Sequence, residues 1–150
     1  MREAICVSPF EFFCNPLTEG NLFTGDLTNH IAIGFYDISQ KGMAVLPVDE
    51  IESTKATSLV NLVLAQAPDS KILLTGMPLI HSPDISLLQE IQRMLRPYSL
   101  FIEAQAQCGN TPIYTKNLVL TSRGAKIIPR DKHGLYDPKN IILIQYNQVQ

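Results

Sequence analysis

The sequence predicts an α+β fold: a layered α/β/β arrangement with mixed β-sheets and two main helices. Three observations carry this expectation. Apolar runs of strand length, bounded by Pro, Gly and Asn, recur along the chain, whereas only two stretches have helical spacing. Those two stretches are separated by one strand and flanked by clusters of strands, unlike the regular alternation of a parallel α/β sheet. Two helices cover only one face of so many strands, so a second sheet has to bury the rest.

The elements follow in order. Residues 3–8 read as a first strand. Residues 10–21 read as a loop with Pro9, Pro16 and Gly20 as breakers, its Phe10, Phe12 and Phe13 plugging one end of the core, the commoner case, or, if exposed, forming a partner-binding patch. Residues 22–24 form a short strand. The segment His30-Ile31-Ala32-Ile33-Gly34-Phe35-Tyr36-Asp37 is the clearest strand, nearly all apolar as a strand covered on both faces would be. A tight connection over 38–42 leads to a hairpin partner at 43–48. Ser53 or Thr54 caps a helix that runs to Gln66 and stops before Pro68, with Ala56, Leu59, Val60, Val63 and Ala67 on one face. Residues 71–75 form a strand ending at Gly76. Ser82-Pro83-Asp84 starts a second helix, with a capping hydroxyl, proline at the first helical position and an acid at the positive end of the dipole. Ile85, Leu88, Ile91 and Leu95 are its apolar stripe, and Pro97 ends it. Further strands are read at 100–106, 113–120 and 125–129. The last, at 141–146, has the Asn/Gln-rich flanks of an edge strand.

The composition fits one domain, residues 1–150, with 45% hydrophobic and 17% charged residues. A chain of this size hides roughly 68–70% of its unfolded surface. The net charge of −2 gives no global pull toward nucleic acid or an anionic membrane. Six basic residues (Lys116, Arg123, Lys126, Arg130, Lys132 and Lys139) fall close together, but no aromatic stacking platform accompanies them, so they read as solvated strand faces and loops. Three scattered cysteines, Cys6, Cys14 and Cys108, are a poor disulfide framework and contain no Cys-x-x-Cys pair, which points to a reducing cytoplasmic setting. The first nine residues lack the apolar stretch of a signal peptide, and no run approaches the roughly 20 apolar residues of a membrane span. His30, His81 and His133 lack ligand spacing, so neither a metal nor a cofactor is expected. No phosphate loop or serine-hydrolase elbow is present.

The segment from Thr24 to Pro47 resembles the core of the CheD family of chemoreceptor glutamine deamidases. With the cytotoxic necrotizing factor toxins, these are cysteine deamidases on an α/β/β layered fold. The family pattern is a threonine, Gly-Ser-Cys six residues on, an alternating strand ending near Tyr-Asp, a Gly-Met-x-His turn and a Leu-Pro. Here Thr24 stands six residues before His30, the strand ends at Tyr36-Asp37, and Gly42-Met43-Ala44-Val45-Leu46-Pro47 follows. The departures fall on the chemistry. Thr28-Asn29-His30 replaces Gly-Ser-Cys, and Val45 occupies the histidine position. Such a deamidase needs a thiolate to attack the amide carbon and an imidazole to take and return the proton. Neither role is filled in place.

The resemblance therefore implies a degenerate member in which Thr24 and His30 mark a vestigial site. Its role would be to bind a protein partner, in bacterial signalling, without turnover. The alternative is an active cysteine-dependent amidohydrolase whose nucleophile has moved, to Cys108 or Cys14 beside His30. Cys6 is a third candidate nucleophile that His30 would serve.

Overall fold

The computed structural model describes residues 3–28, 30–36, 39–47, 53–66, 71–76, 93–94, 100–102 and 113–145. They form β1 (Ile5–Val7), β2 (Phe12–Pro16), β3 (Leu22–Thr24), β4 (His30–Tyr36), β5 (Gln40–Pro47), α1 (Ser53–Gln66), β6 (Lys71–Gly76), β7 (Leu100–Ile102), β8 (Thr115–Leu120), β9 (Gly124–Arg130) and β10 (Ile142–Gln145), with a short 3-10 turn at Pro138–Asn140. Two five-stranded sheets result, ordered β1-β3-β8-β9-β10 and β2-β5-β4-β6-β7. Each is mixed, because β1 runs parallel to β3 and β6 parallel to β7 while the other pairs are antiparallel. This is the α+β class that the sequence predicts.

The strand β4 sits at the centre of the second sheet and divides its side chains between two apolar layers. Alternation along a strand sends successive residues to opposite faces. Ile31, Ile33 and Phe35 face one way and pack with Ala44 and Leu46 of β5 and with Val60 and Val63 of α1. Ala32, together with Met43 and Val45 of β5, faces the other way and packs against Val7, Leu22, Leu118, Leu120, Ala125, Ile127 and Ile144 of the first sheet. The layers are thus helix, sheet, sheet. Small residues set the gap between the sheets: a β-carbon at Gly34 would stand 3.2 Å from the Leu120 methyls, a tight contact in an interior already packed to crystal density.

Two local arrangements lock the edge of the second sheet. Gly42 is paired with Phe35, and a β-carbon on it would fall inside the volume of the Phe35 ring. The ring covers the glycine and stacks at 5.9 Å on Phe12 of β2. Lys41 is fully buried, and its Nζ donates to the carbonyls of Pro16, Leu17 and Glu19 at 3.0, 2.9 and 3.1 Å. A lysine is rarely buried without partners. Here three carbonyls of the turn after β2 take the ammonium protons and hold that turn to β5.

Two sequence expectations change, and a third falls largely outside the described residues. The segment 10–21 is not all loop, since Phe12–Pro16 is an edge strand in antiparallel register with β5. Its pairing partner lies beyond the reach of local pattern, and Pro16 is tolerated because it ends the strand. The aromatic plug is only partial. Strand alternation turns Phe12 into the helix-side core, whereas Phe10 and Phe13 remain 49% and 38% exposed. Of the two predicted helices, the described residues hold one long helix. The second falls outside the described residues except for Arg93 and Met94, which are helical, Met94 packing against the helix-side core.

Two substitutions test this account by urea denaturation. Lys41→Met leaves three carbonyls of the turn without their buried donor and lowers stability by about 3 kcal/mol. Gly42→Ala forces the Phe35 ring to move in a filled layer and lowers it by about 1–3 kcal/mol. Neither changes the denaturant slope, because the surface exposed on unfolding is unchanged.

Candidate functional site

At one end of the sheet–sheet layer the two sheets part, and a cleft of about 100 Å³ opens between β1, the end of β3, the start of β4 and β5. Its lining includes Cys6, Thr24, Asp26, Leu27, His30 and Val45.

An irregularity in strand pairing makes this opening. Leu22 and Phe23 of β3 pair with Leu120 and Val119 of β8, and pairing resumes as an isolated bridge between Leu27 and Lys116. Three residues, Thr24, Gly25 and Asp26, thus stand opposite two, Asn117 and Leu118. The extra residue is the count of a β-bulge, which bends the strand and re-aims side chains. The Thr24 side chain fills the resulting gap in the ladder, its buried Oγ1 accepting the Leu118 amide at 3.0 Å. Asn117 braces the bulge from outside, its Nδ2 donating to Asp26 Oδ1 at 3.0 Å and to the Thr24 carbonyl at 3.4 Å. Arg130 in turn donates from Nε to Asn117 Oδ1 at 2.6 Å, lies 3.9 Å from Asp26 Oδ1, and stacks 4.9 Å over the Tyr136 ring.

The other wall comes from the second sheet. Val45 is buried and belongs to the sheet–sheet core. The preceding chain closes over its strand edge, with the Phe10 amide donating to the Val45 carbonyl at 2.7 Å and the Val45 amide to Glu11 O at 3.3 Å. His30 opens β4, and its Nδ1 accepts the Thr28 amide at 3.2 Å. A ring nitrogen that accepts from a backbone N–H carries no proton, so the neutral imidazole holds its hydrogen on Nε2. In that form Nε2 is a donor, which is the wrong state for taking a proton from a thiol.

The structure thus brings Thr24, His30 and Val45 to one cleft, which Cys6 also lines, and it keeps Cys14 away from it. Cys14 lies in β2, packs against the helix-side core and donates from Sγ to Gln40 Oε1 at 3.1 Å, so it is not part of this cleft. Cys6 is exposed, and strand alternation turns its side chain to the opposite face from its neighbour Val7, which is buried in the sheet–sheet core. Cys108 and His81 lie outside the described residues. His133 is exposed in the turn after β9, its amide donating to Asp131 Oδ1. Among the described residues, no three His, Cys, Asp or Glu side chains group closely enough to hold a metal ion. Sequence reading missed Asn117 and Arg130 as supports of the cleft. Asn117 is 91 residues from Asp26, and a single Asn in a strand carries no local signal of such a partner.

No protein-family model matches the chain, and no curated protein matches it significantly.

Thr24→Val keeps the shape of the side chain but leaves the Leu118 amide without an acceptor. It costs about 1–3 kcal/mol, and amide exchange at Leu118 accelerates. Nitrogen NMR of the histidines near neutral pH finds the His30 Nδ1 unprotonated and Nε2 protonated. The reverse tautomer would contradict the hydrogen bond from Thr28.

Proposed function

We propose that the cleft is the remnant of a CheD-type deamidase site and that the protein acts by binding a protein partner rather than by turnover, with bacterial signalling as the setting. One observation carries the reading. Thr24, His30 and Val45, the three positions that the resemblance aligns with the family's threonine, cysteine and histidine, line the same cleft although the chain brings them from β3, β4 and β5. The residues present argue against amide hydrolysis there. An imidazole stands where a thiolate is needed, and its Nδ1 is already engaged by Thr28. An isopropyl group stands where a base is needed, and it neither takes nor returns a proton. What remains is a small opening with an apolar back wall, a histidine donor and the Asp26 carboxylate at its mouth. That combination suits a polar side chain presented by another protein.

The alternative, an active deamidase with a relocated thiol, draws less support. Cys14 is held in the other core layer, and Cys6, which does line the cleft, is turned by strand alternation away from the buried face of β1; Cys108 lies outside the described residues and bears on neither reading.

The test uses a glutamine-bearing chemoreceptor cytoplasmic fragment. Calorimetry is expected to detect binding that His30→Ala weakens about tenfold, the loss of one charge- or shape-matched contact at a binding centre, with no ammonia released. Ammonia release that Cys108→Ala or Cys14→Ala abolishes would establish the alternative instead. Binding indifferent to His30→Ala would remove the cleft from the interaction.

A further inference from the structure

The first sheet has a second face, turned away from the sheet–sheet core, and its register places one continuous row of side chains across all five strands. Cys6 pairs with Phe23, Phe23 with Val119, Val119 with Lys126, and Lys126 with Leu143. Directly paired residues project from the same face of a sheet. Phe23 and Val119 are half-buried, Cys6 and Lys126 are exposed, and Leu143 is 65% exposed. The row therefore presents apolar side chains on either side of one ammonium group.

The charge along this row is uneven, and its basic part lies on β8, β9 and β10. Residues 113–145, which supply β8, β9, β10 and their connections, contain six Lys and Arg and two Asp, a balance of +4. Among the described residues, none of Arg123, Lys126, Lys132 and Lys139 has a carboxylate partner. Both aspartates are committed to their own turns. Asp131 Oδ1 accepts the His133 and Leu135 amides, and Asp137 Oδ1 accepts the Lys139 amide. β1 and β3 with their flanks bring Glu3 and Asp26, of which Asp26 accepts from Asn117 and lies 3.9 Å from Arg130, so the positive excess is confined to the side of the sheet formed by β8, β9 and β10, where Lys126 stands.

We propose that this outer face is a docking surface for an acidic protein segment, one that sets a carboxylate against Lys126 and apolar side chains against Phe23, Val119 and Leu143. Two physical points select this occupant. An apolar row this exposed gains from being covered, and a lysine in its midst is desolvated at heavy cost unless the covering surface brings a negative charge. A phosphate backbone or a lipid headgroup answers the lysine but leaves the apolar row uncovered. A neutral apolar partner does the reverse. The face shares Cys6 with the cleft lining, but Phe23, Val119, Lys126 and Leu143, on which the docking rests, do not line the cleft, so the proposal stands or falls independently of what the cleft does.

The probe is a short fluorescent amphipathic peptide of Glu and Leu, titrated by anisotropy against the whole protein. Its Lys-for-Glu counterpart, a DNA duplex and phosphatidylserine vesicles serve as the comparison arms. The Glu-Leu peptide is expected to bind, more weakly as salt rises. Lys126→Glu and Leu143→Asp, both at exposed positions, are each expected to weaken it about tenfold, with circular dichroism unchanged. Cleft variant His30→Ala leaves this binding intact. Absence of binding, equal binding of the Lys peptide, tighter binding of DNA or vesicles, or indifference to both surface variants would each overturn the proposal.

Discussion

The close approach of β4 to β8 is the contact on which the rest of the molecule depends. Ala32 and Gly34 present almost no side chain to the sheet–sheet layer, so Leu118 and Leu120 lie directly against the strand. The same strand sends Ile31, Ile33 and Phe35 into the helix side. A strand that is thin on one face and bulky on the other can serve two cores at once, because each layer is filled to the density of a packed solid by a different half of its residues. Reversing the alternation by one residue would bury nothing correctly on either side. Everything fixed to β4 is positioned by this packing, including His30 at its start and, through the hairpin, Val45 beside it.

The cleft is where that packing stops. It opens because β3 carries one residue more than β8 can pair, and the unmatched amide of Leu118 is satisfied by the Thr24 hydroxyl rather than by a carbonyl. Buried amides require a partner, so this hydroxyl acts first as part of the ladder. The surrounding polar groups follow the same rule: Asn117 answers Asp26, and Arg130 answers Asn117 and the Gly134 carbonyl. The result is a firmly held opening beside an imidazole whose Nδ1 accepts the Thr28 amide.

Legibility in the sequence varied with the distance over which each feature is determined. The strand β4, the helix α1 and the start of β6 could be read because apolar alternation, helical spacing and the stop before Pro68 are local. Thr24 and His30 stand six residues apart, a local spacing, and the structure brings both to one cleft. The strand β2 was not, because Pro9, Pro16 and Gly20 have the composition of a loop, and only the ladder to β5 makes that segment a strand. Lys41 is the sharpest case. Its charge reads as surface, yet it is fully buried because three carbonyls of a distant turn converge on it.

By itself the sequence determined periodicity, and hence which residues share a face: Ile31 with Ile33 and Phe35, Val60 with Val63. It also determined that only a layered arrangement can bury so many apolar strands with so little helix. Only the tertiary structure decided which face meets which. That choice placed Thr24 opposite Leu118, gathered Cys6, Phe23, Val119, Lys126 and Leu143 into one row, and separated Cys14 from His30. The physical reason is that alternation is a property of neighbouring residues. Register is set by complementary shape and hydrogen bonding between segments far apart in the chain, and no local pattern records it.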